Sequence, residues 1–199
     1  MQKRSLLLLM VAAFLALGFP SSAPALGARR SSRAKARPRV DRWSKDGTST
    51  VTFVAVGPGG IKMEGKTSEL EVRNLRNVLT VVVPLTHLST GIELRDNHMK
   101  EKYLETGKYP TAELKLPRAD LKIRKGGVEV QSAIKATLRL HGQQKPVMVN
   151  YQAKPTPGGY EIVGSFRLNM TEYGIEVPEY LGVTVKPDVE ITASFKVKG

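Results

Sequence analysis

The 199-residue sequence contains no cysteine. That excludes a disulfide framework, thiolate chemistry and cysteine-based metal sites, and it also excludes the lipid-modified cysteine of a bacterial lipoprotein. Histidine is scarce, with only His87, His98 and His141. No two of these stand four residues apart, none lies in an HExxH arrangement, and no acidic cluster completes a ligand set. No metal site is therefore expected. There is no G-x-S-x-G elbow and no glycine loop opening a helix to cradle phosphate. Gly57-Pro58-Gly59-Gly60 joins two apolar stretches and suits a turn. No catalytic residue is assigned, and an enzyme is not expected. Long apolar runs are equally rare. Leu6 to Leu17 is the one clear case, and it falls short of the about 20 residues a spanning helix needs.

That run has the setting of an export signal. Lys3 and Arg4 precede it, Gly18 and Pro20 break it, and Ala23-Pro24-Ala25 supplies the small-x-small pattern of a cleavage site. Residues 1–25 thus read as a signal peptide removed near Ala25, placing the mature chain in the periplasm or outside the cell. A remainder of this size can bury roughly 70% of its unfolded surface, so a core alone can stabilise it.

The net charge is +13. Two of these charges belong to the leader and six to residues 26–40, as Arg29, Arg30, Arg33, Lys35, Arg37 and Arg39. The excess is therefore concentrated in an Ala/Ser/Arg stretch with too few apolar residues to fold, and residues 26–41 read as a basic flexible linker. It lacks the aromatics that stack on exposed bases, and no nucleic-acid partner is expected. A solvated spacer and a tether to an anionic membrane surface both remain open.

From residue 42 onward the pattern has period two, broken by Gly, Pro and Asn. Val128, Val130, Ile134, Ala136, Leu138 and Leu140 share one phase, with Glu129, Gln131, Lys135, Thr137 and Arg139 on the other. Successive strand side chains point to opposite faces, so this is a half-buried antiparallel strand. Tyr160 to Leu168, Val189 to Val197, Leu79 to Leu85, Val147 to Tyr151 and Val51 to Ala55 repeat it. Parity slips between Gly65 and Leu70 and again at Pro117, as a bulge or corner would cause. About eight strands are expected. A short helix is expected over Asp96 to Leu104 with Asp96 as its N-cap, and a single helical turn over Pro178 to Gly182. Periodicity alone leaves sandwich and barrel both open.

The densest polar cluster runs from Thr90 to Lys100. In one reading Asp96 caps the helix while Arg95 and His98 satisfy backbone carbonyls and carboxylates. In the other, Arg95, Asp96 and His98, with Tyr103, form a polar tunnel mouth for a ligand's head group.

The same residues carry a family resemblance. Thr90-Gly91-x-x-Leu94-Arg95-Asp96-Asn97-His98-Met99-Lys100, then Tyr103-Leu104 and Tyr109-Pro110, resembles the signature of the YceI-like family. So do Leu138-x-Leu140-His141-Gly142, Phe166-x-Leu168-Asn169-x-x-x-Tyr173-Gly174-Ile175 and Pro178-x-Tyr180-Leu181-Gly182-Val183. The resemblance spans about residues 42–198. It implies an all-β fold: an eight-stranded antiparallel lipocalin-like β-barrel with one short helix between strands, exported by bacteria. It further implies an elongated apolar tunnel for a polyisoprenoid or isoprenoid-quinone chain, with no cofactor beyond such a bound lipid.

On that reading the expected tunnel lining is Phe53, Val81, Val83, Leu138, Leu140, Val149, Phe166, Leu168, Ile191 and Phe195. Ala55, Ala136, Gly164 and Ala193 are small residues on the same apolar faces, and a barrel of this size holds a small ligand if some inward positions stay small. The expected function is an exported carrier or reservoir for a long apolar lipid. The alternative is an envelope stress or interaction protein with a ligand-free barrel and a basic surface-binding tail. Pairing of two chains as a homodimer is left open.

Overall fold

The computed structural model describes residues 43–123, 127–180 and 183–198. The expected signal peptide and basic linker lie outside the described residues.

Alternating β-branched and aromatic residues build nine strands of one antiparallel sheet. They are β1 (Ser44–Val56), β2 (Lys62–Thr67), β3 (Glu71–Leu75), β4 (Val78–Pro84), β5 (Thr111–Pro117), β6 (Val130–Leu140), β7 (Gln143–Thr156), β8 (Gly159–Asn169) and a C-terminal strand (Asp188–Lys198). Two minor strands, β9 (Glu179–Tyr180) and β10 (Val183–Thr184), pair only with each other, so the C-terminal strand is β11. The sheet order is β2-β1-β11-β8-β7-β6-β5-β4-β3. Its two outermost members, β2 and β3, are neighbours in sequence, separated only by Ser68 to Leu70. One bent segment thus pairs with β1 through its first half and β4 through its second, and the sheet curls into a lipocalin-like barrel. Counting that segment once gives the expected eight strands. The parity slip between Gly65 and Leu70 is the corner itself. The slip at Pro117 is a strand end followed by a helical turn at Arg118–Asp120, because Pro117 closes β5 and Pro lacks the N–H a ladder uses.

Burial follows the alternation. Ile134, Ala136, Leu138 and Leu140 of β6 are buried while Gln131, Lys135 and Arg139 are exposed. Val128, expected to start this strand, lies outside it and is 79% exposed. Two ladders stop short. β5 and β6 pair only from Glu113–Arg139 to Lys115–Thr137. β7 and β8 pair from Thr156–Gly159 to Asn150–Ser165. Beyond that point Pro146 to Val149 continue on β6 and Phe166 to Asn169 continue on β11, without pairing to each other.

Two helical expectations are corrected. The helix α1 spans Glu93–His98 with Ile92 at its N-cap position, and continues as a wider turn through Met99–Tyr103 in which Leu104 N–H donates to Met99 O at 2.8 Å. Asp96 lies inside it, because its carboxylate is taken by the preceding loop. Pro178 to Gly182 is not helical where described: Glu179 and Tyr180 pair with Thr184 and Val183, while Leu181 and Gly182 lie outside the described residues. A helical turn does form at Met170–Tyr173, where the Asn169 side chain accepts from Thr171 N–H at 3.0 Å.

Candidate functional site

The inward side chains form two clusters stacked along the barrel. One lies toward the end where β1 begins and β11 finishes. It contains Leu79, Val81, Leu116, Ile134, Val149, Tyr151, Ile162 and Phe195. The other lies toward the end carrying α1. It contains Leu85, Leu88, Leu138, Leu140, Leu168, Met170, Tyr173 and Ile175.

The first cluster is incompletely filled. An apolar void of about 60 Å3 remains among Leu79, Val81, Leu114, Leu116, Val149, Ile162, Phe166 and Phe195, bordered toward the β1-start end by Trp43, Leu121 and Ile123. Gly164 and Ala193 line it too, and they face each other across the β8–β11 ladder. A methyl built on Gly164 meets only Val149 Cγ1 at 3.6 Å and Asn150 O at 4.0 Å, ordinary contact distances. These two small residues therefore leave part of the void. Tyr151 lines the void as well, and its hydroxyl accepts from Lys122 N–H at 2.9 Å. That bond holds the Leu121 to Ile123 segment over the barrel end. Arg118 lies 5.0 Å above the Trp43 ring, and Trp43 contacts Tyr160 at a ring separation of 6.1 Å.

Of the ten expected lining residues, Val81, Val149, Phe166 and Phe195 border the void. Val83 and Ile191 pack partly buried against the same cluster. Leu138, Leu140 and Leu168 instead belong to the second cluster. Phe53 packs against that second cluster too, with its ring over the backbone of Gly65. Sequence reasoning omitted Trp43, Leu121 and Ile123. Their signal was faint: a lone aromatic before the first strand, and two apolar residues after Pro117 in the shifted parity.

The expected mouth residues lie at the α1 end and do not border the void. Asp96 is 8% exposed. Its carboxylate accepts from Ser89 Oγ at 2.7 Å, from Thr90 N–H at 2.7 Å and from the Thr90 hydroxyl. Burial alone would raise its pKa, but the bonds from Thr90 and Ser89, with Lys100 nearby, hold it below the ordinary carboxylate range. Arg95 Nε donates to Thr90 Oγ1 at 2.7 Å, and its terminal nitrogen donates to Thr90 O at 2.9 Å. The loop is in turn pinned to β2, since Lys66 and Ser89 exchange backbone hydrogen bonds at 2.8 and 2.9 Å. Thr90-Gly91-x-x-x-Arg95-Asp96 is thus a self-locked loop. His98 is exposed, and Tyr103 packs partly buried on the second cluster with Lys102 Nζ 5.3 Å from its ring.

A second polar assembly closes the same end. His141 Nε2 lies 2.7 Å from Glu105 Oε2, and its Nδ1 lies 3.1 Å from Tyr173 O. Each ring nitrogen thus has an oxygen within hydrogen-bond distance. The Tyr109 ring packs tilted against the imidazole, with centroids 4.6 Å apart. His141, in the β6–β7 turn, is therefore the bracket joining that turn to two other loops. Among the described residues no group of three or more His, Asp or Glu side chains is placed to hold a metal ion.

On the outer wall, Met148, Asn150, Ser165, Phe166, Arg167 and Glu190 border an open groove of about 480 Å3. It lies where the β7–β8 ladder stops.

A YceI-like domain model matches residues 43–197, the whole of the curled sheet. The chain belongs to the YceI-like family. A UPF0312 protein of Vibrio cholerae is 27% identical over 137 residues, covering 65% of this chain and 68% of that protein. Among solved structures, a polyisoprenoid binding domain from Saccharophagus degradans implicated in plant cell wall breakdown superposes with a TM-score of 0.65. It shares 16% identity, and the match covers 80% of this chain and 99% of that one. BcnA of Burkholderia cenocepacia gives 0.59 at 14% identity, covering 74% and 95%. At these identities the structural matches establish the shared fold.

Proposed function

We propose that this chain is a non-catalytic binding protein of the bacterial envelope, exported and released from its leader, whose barrel holds a long apolar isoprenoid-type lipid as carrier or reservoir. The observation that carries this reading is the void lined by aliphatic and aromatic side chains, with Gly164 and Ala193 where a filled barrel would place bulk. A polyisoprenoid-binding protein of the same fold supports the ligand class. Burial would supply most of the affinity, at roughly 25 cal/mol per Å2 of apolar surface removed from water. Selectivity for chain type is correspondingly low.

The void sets a condition on that binding. An engineered cavity of about 150 Å3 takes up benzene, whereas this one is about 60 Å3. A prenyl chain therefore enters only as Phe166, Phe195 and their neighbours move apart. Native mass spectrometry of the mature protein from its own cells, before and after organic extraction, tests the proposal. The expected result is an extractable mass of isoprenoid type. A spectrum showing the bare polypeptide alone would reject it in favour of a ligand-free barrel acting through its basic tail.

A further inference from the structure

A lipid in this barrel must enter through an end or through the wall, and packed side chains crowd both ends among the described residues. At the α1 end Leu85, Leu88, Met170, Tyr173 and Ile175 are each at most 7% exposed. The His141 bracket ties their loops together. At the other end Trp43, Leu121 and Ile123 border the void, with Lys122 N–H bonded to the Tyr151 hydroxyl. Passage through either end breaks hydrogen bonds or lifts buried side chains into water.

The wall has a gap in its ladder. Pro146 to Val149 and Phe166 to Asn169 face each other without pairing, although the register from Thr156–Gly159 to Asn150–Ser165 would align them. Pro146 has no N–H to donate on that edge. Outside the gap is the groove formed by Met148, Asn150, Ser165, Arg167 and Glu190. Inside it is the void. Phe166 borders both, so one residue separates the apolar interior from an open groove with polar walls.

We infer that the seam between β7 and β8 is the portal through which the apolar chain enters and leaves, with Phe166 as its gate and the groove as the seat of the lipid's polar end. This rests on the lipid-binding reading above. The chemistry of the groove suits the task. Asn150, Ser165 and Arg167 offer hydrogen-bond donors to a head group, Glu190 pairs with Arg167 at 3.6 Å, and Met148, 58% exposed, supplies an adaptable apolar wall. Opening the seam displaces Phe166 but breaks no β7–β8 ladder hydrogen bond.

The chain's single tryptophan provides the readout, because Trp43 lines the void and a quinone close to an indole quenches its fluorescence. Lipid-extracted protein is mixed with ubiquinone in detergent micelles, and the rate of Trp43 quenching is followed. The native chain lacks cysteine, so Met148→Cys places one bulky maleimide in the groove, Lys122→Cys places it at the barrel end, and Lys196→Cys places it on the outer face of β11. The groove label is expected to slow quenching by about tenfold or more, corresponding to about 1.4 kcal/mol of added barrier. The other two labels leave the rate unchanged, and Phe166→Ala speeds both loading and release. An unchanged rate with the groove labelled, or equal slowing by the Lys122→Cys label, overturns the portal while leaving the lipid reading intact. No quenching of the unmodified protein overturns the lipid reading itself, and the portal with it.

Discussion

Gly164→Ala separates stability from function in this barrel. The added methyl enters the void and meets Val149 Cγ1 at 3.6 Å and Asn150 O at 4.0 Å, so it fits without moving either. Gly164 lies within the paired part of β8, where alanine is conformationally compatible, and losing a glycine stabilises by about 0.4–1 kcal/mol through the unfolded chain. Burying one further carbon contributes on the order of 0.8 kcal/mol. The packing part has a ceiling: filling all 60 Å3 at about 24 cal/mol per Å3 yields about 1.4 kcal/mol. The expected gain is thus about 1 kcal/mol, or a rise of roughly 2–4 °C in Tm for a domain of this size. Urea unfolding of lipid-extracted protein, followed by Trp43 emission, measures it. The same variant should co-purify with less lipid, since the chain loses space where it must lie. A destabilised Gly164→Ala would show that no usable room exists beside β8. A stabilised variant with undiminished lipid would show that the void is not where the chain sits.

Three further outcomes follow from the packing and the polar loops. Gly65→Ala drives a methyl into the Phe53 ring, with the Thr90 methyl also at 3.1 Å. It should cost about 1–3 kcal/mol in urea unfolding, and Phe53→Leu in the same chain should recover part of the loss. Asp96 has its folded pKa depressed below the ordinary value near 3.8, so its stabilisation is fully present above that ordinary value and disappears as pH falls through the folded one. Asp96→Asn should therefore lower stability at neutral pH, by about 1.5–3 kcal/mol for the lost charge-assisted bonds, and flatten the acid limb of the pH–stability curve; an unchanged acid limb would argue against the buried carboxylate. A double-mutant cycle with His141→Gln and Glu105→Gln should show a coupling of about 0.5–3 kcal/mol, while additive effects would mean that the 2.7 Å pair contributes little.

Much of the barrel was legible because strand side chains alternate strictly. The phases of β4, β6, β8 and β11 follow directly from Leu79, Ile134, Ile162 and Phe195. The corner between β2 and β3 was visible as a parity slip, although nothing local says that such a slip carries one segment from β1 to β4. The helix start was misread because Asp96 has the composition of an N-cap. Only the folded loop brings Ser89 and Thr90 within reach of its carboxylate, so the residue caps the loop rather than the helix. Pro178 and Gly182 have the spacing of a helical turn, yet pairing of Glu179–Tyr180 with Val183–Thr184 outweighs that local preference. The site was partly legible. Inward phase identified Val81, Val149, Phe166 and Phe195, but phase does not report height along the barrel. Leu138 and Leu168 were therefore grouped with residues from the other layer. Trp43 and Leu121 become walls only because the barrel end needs covering, which is a tertiary demand.

The place of β11 between β1 and β8 constrains how the molecule is made. Ser44 pairs with Lys198, so the first and last residues of the wall are neighbours. Without β11 the wall has no stave to join β1 to β8. The hoop therefore closes only once β11 has docked, a step that brings together strands far apart in the sequence. Truncation by even a few C-terminal residues would remove pairing from both neighbours at once, leaving β1 and β8 with bare edges open to association with other chains.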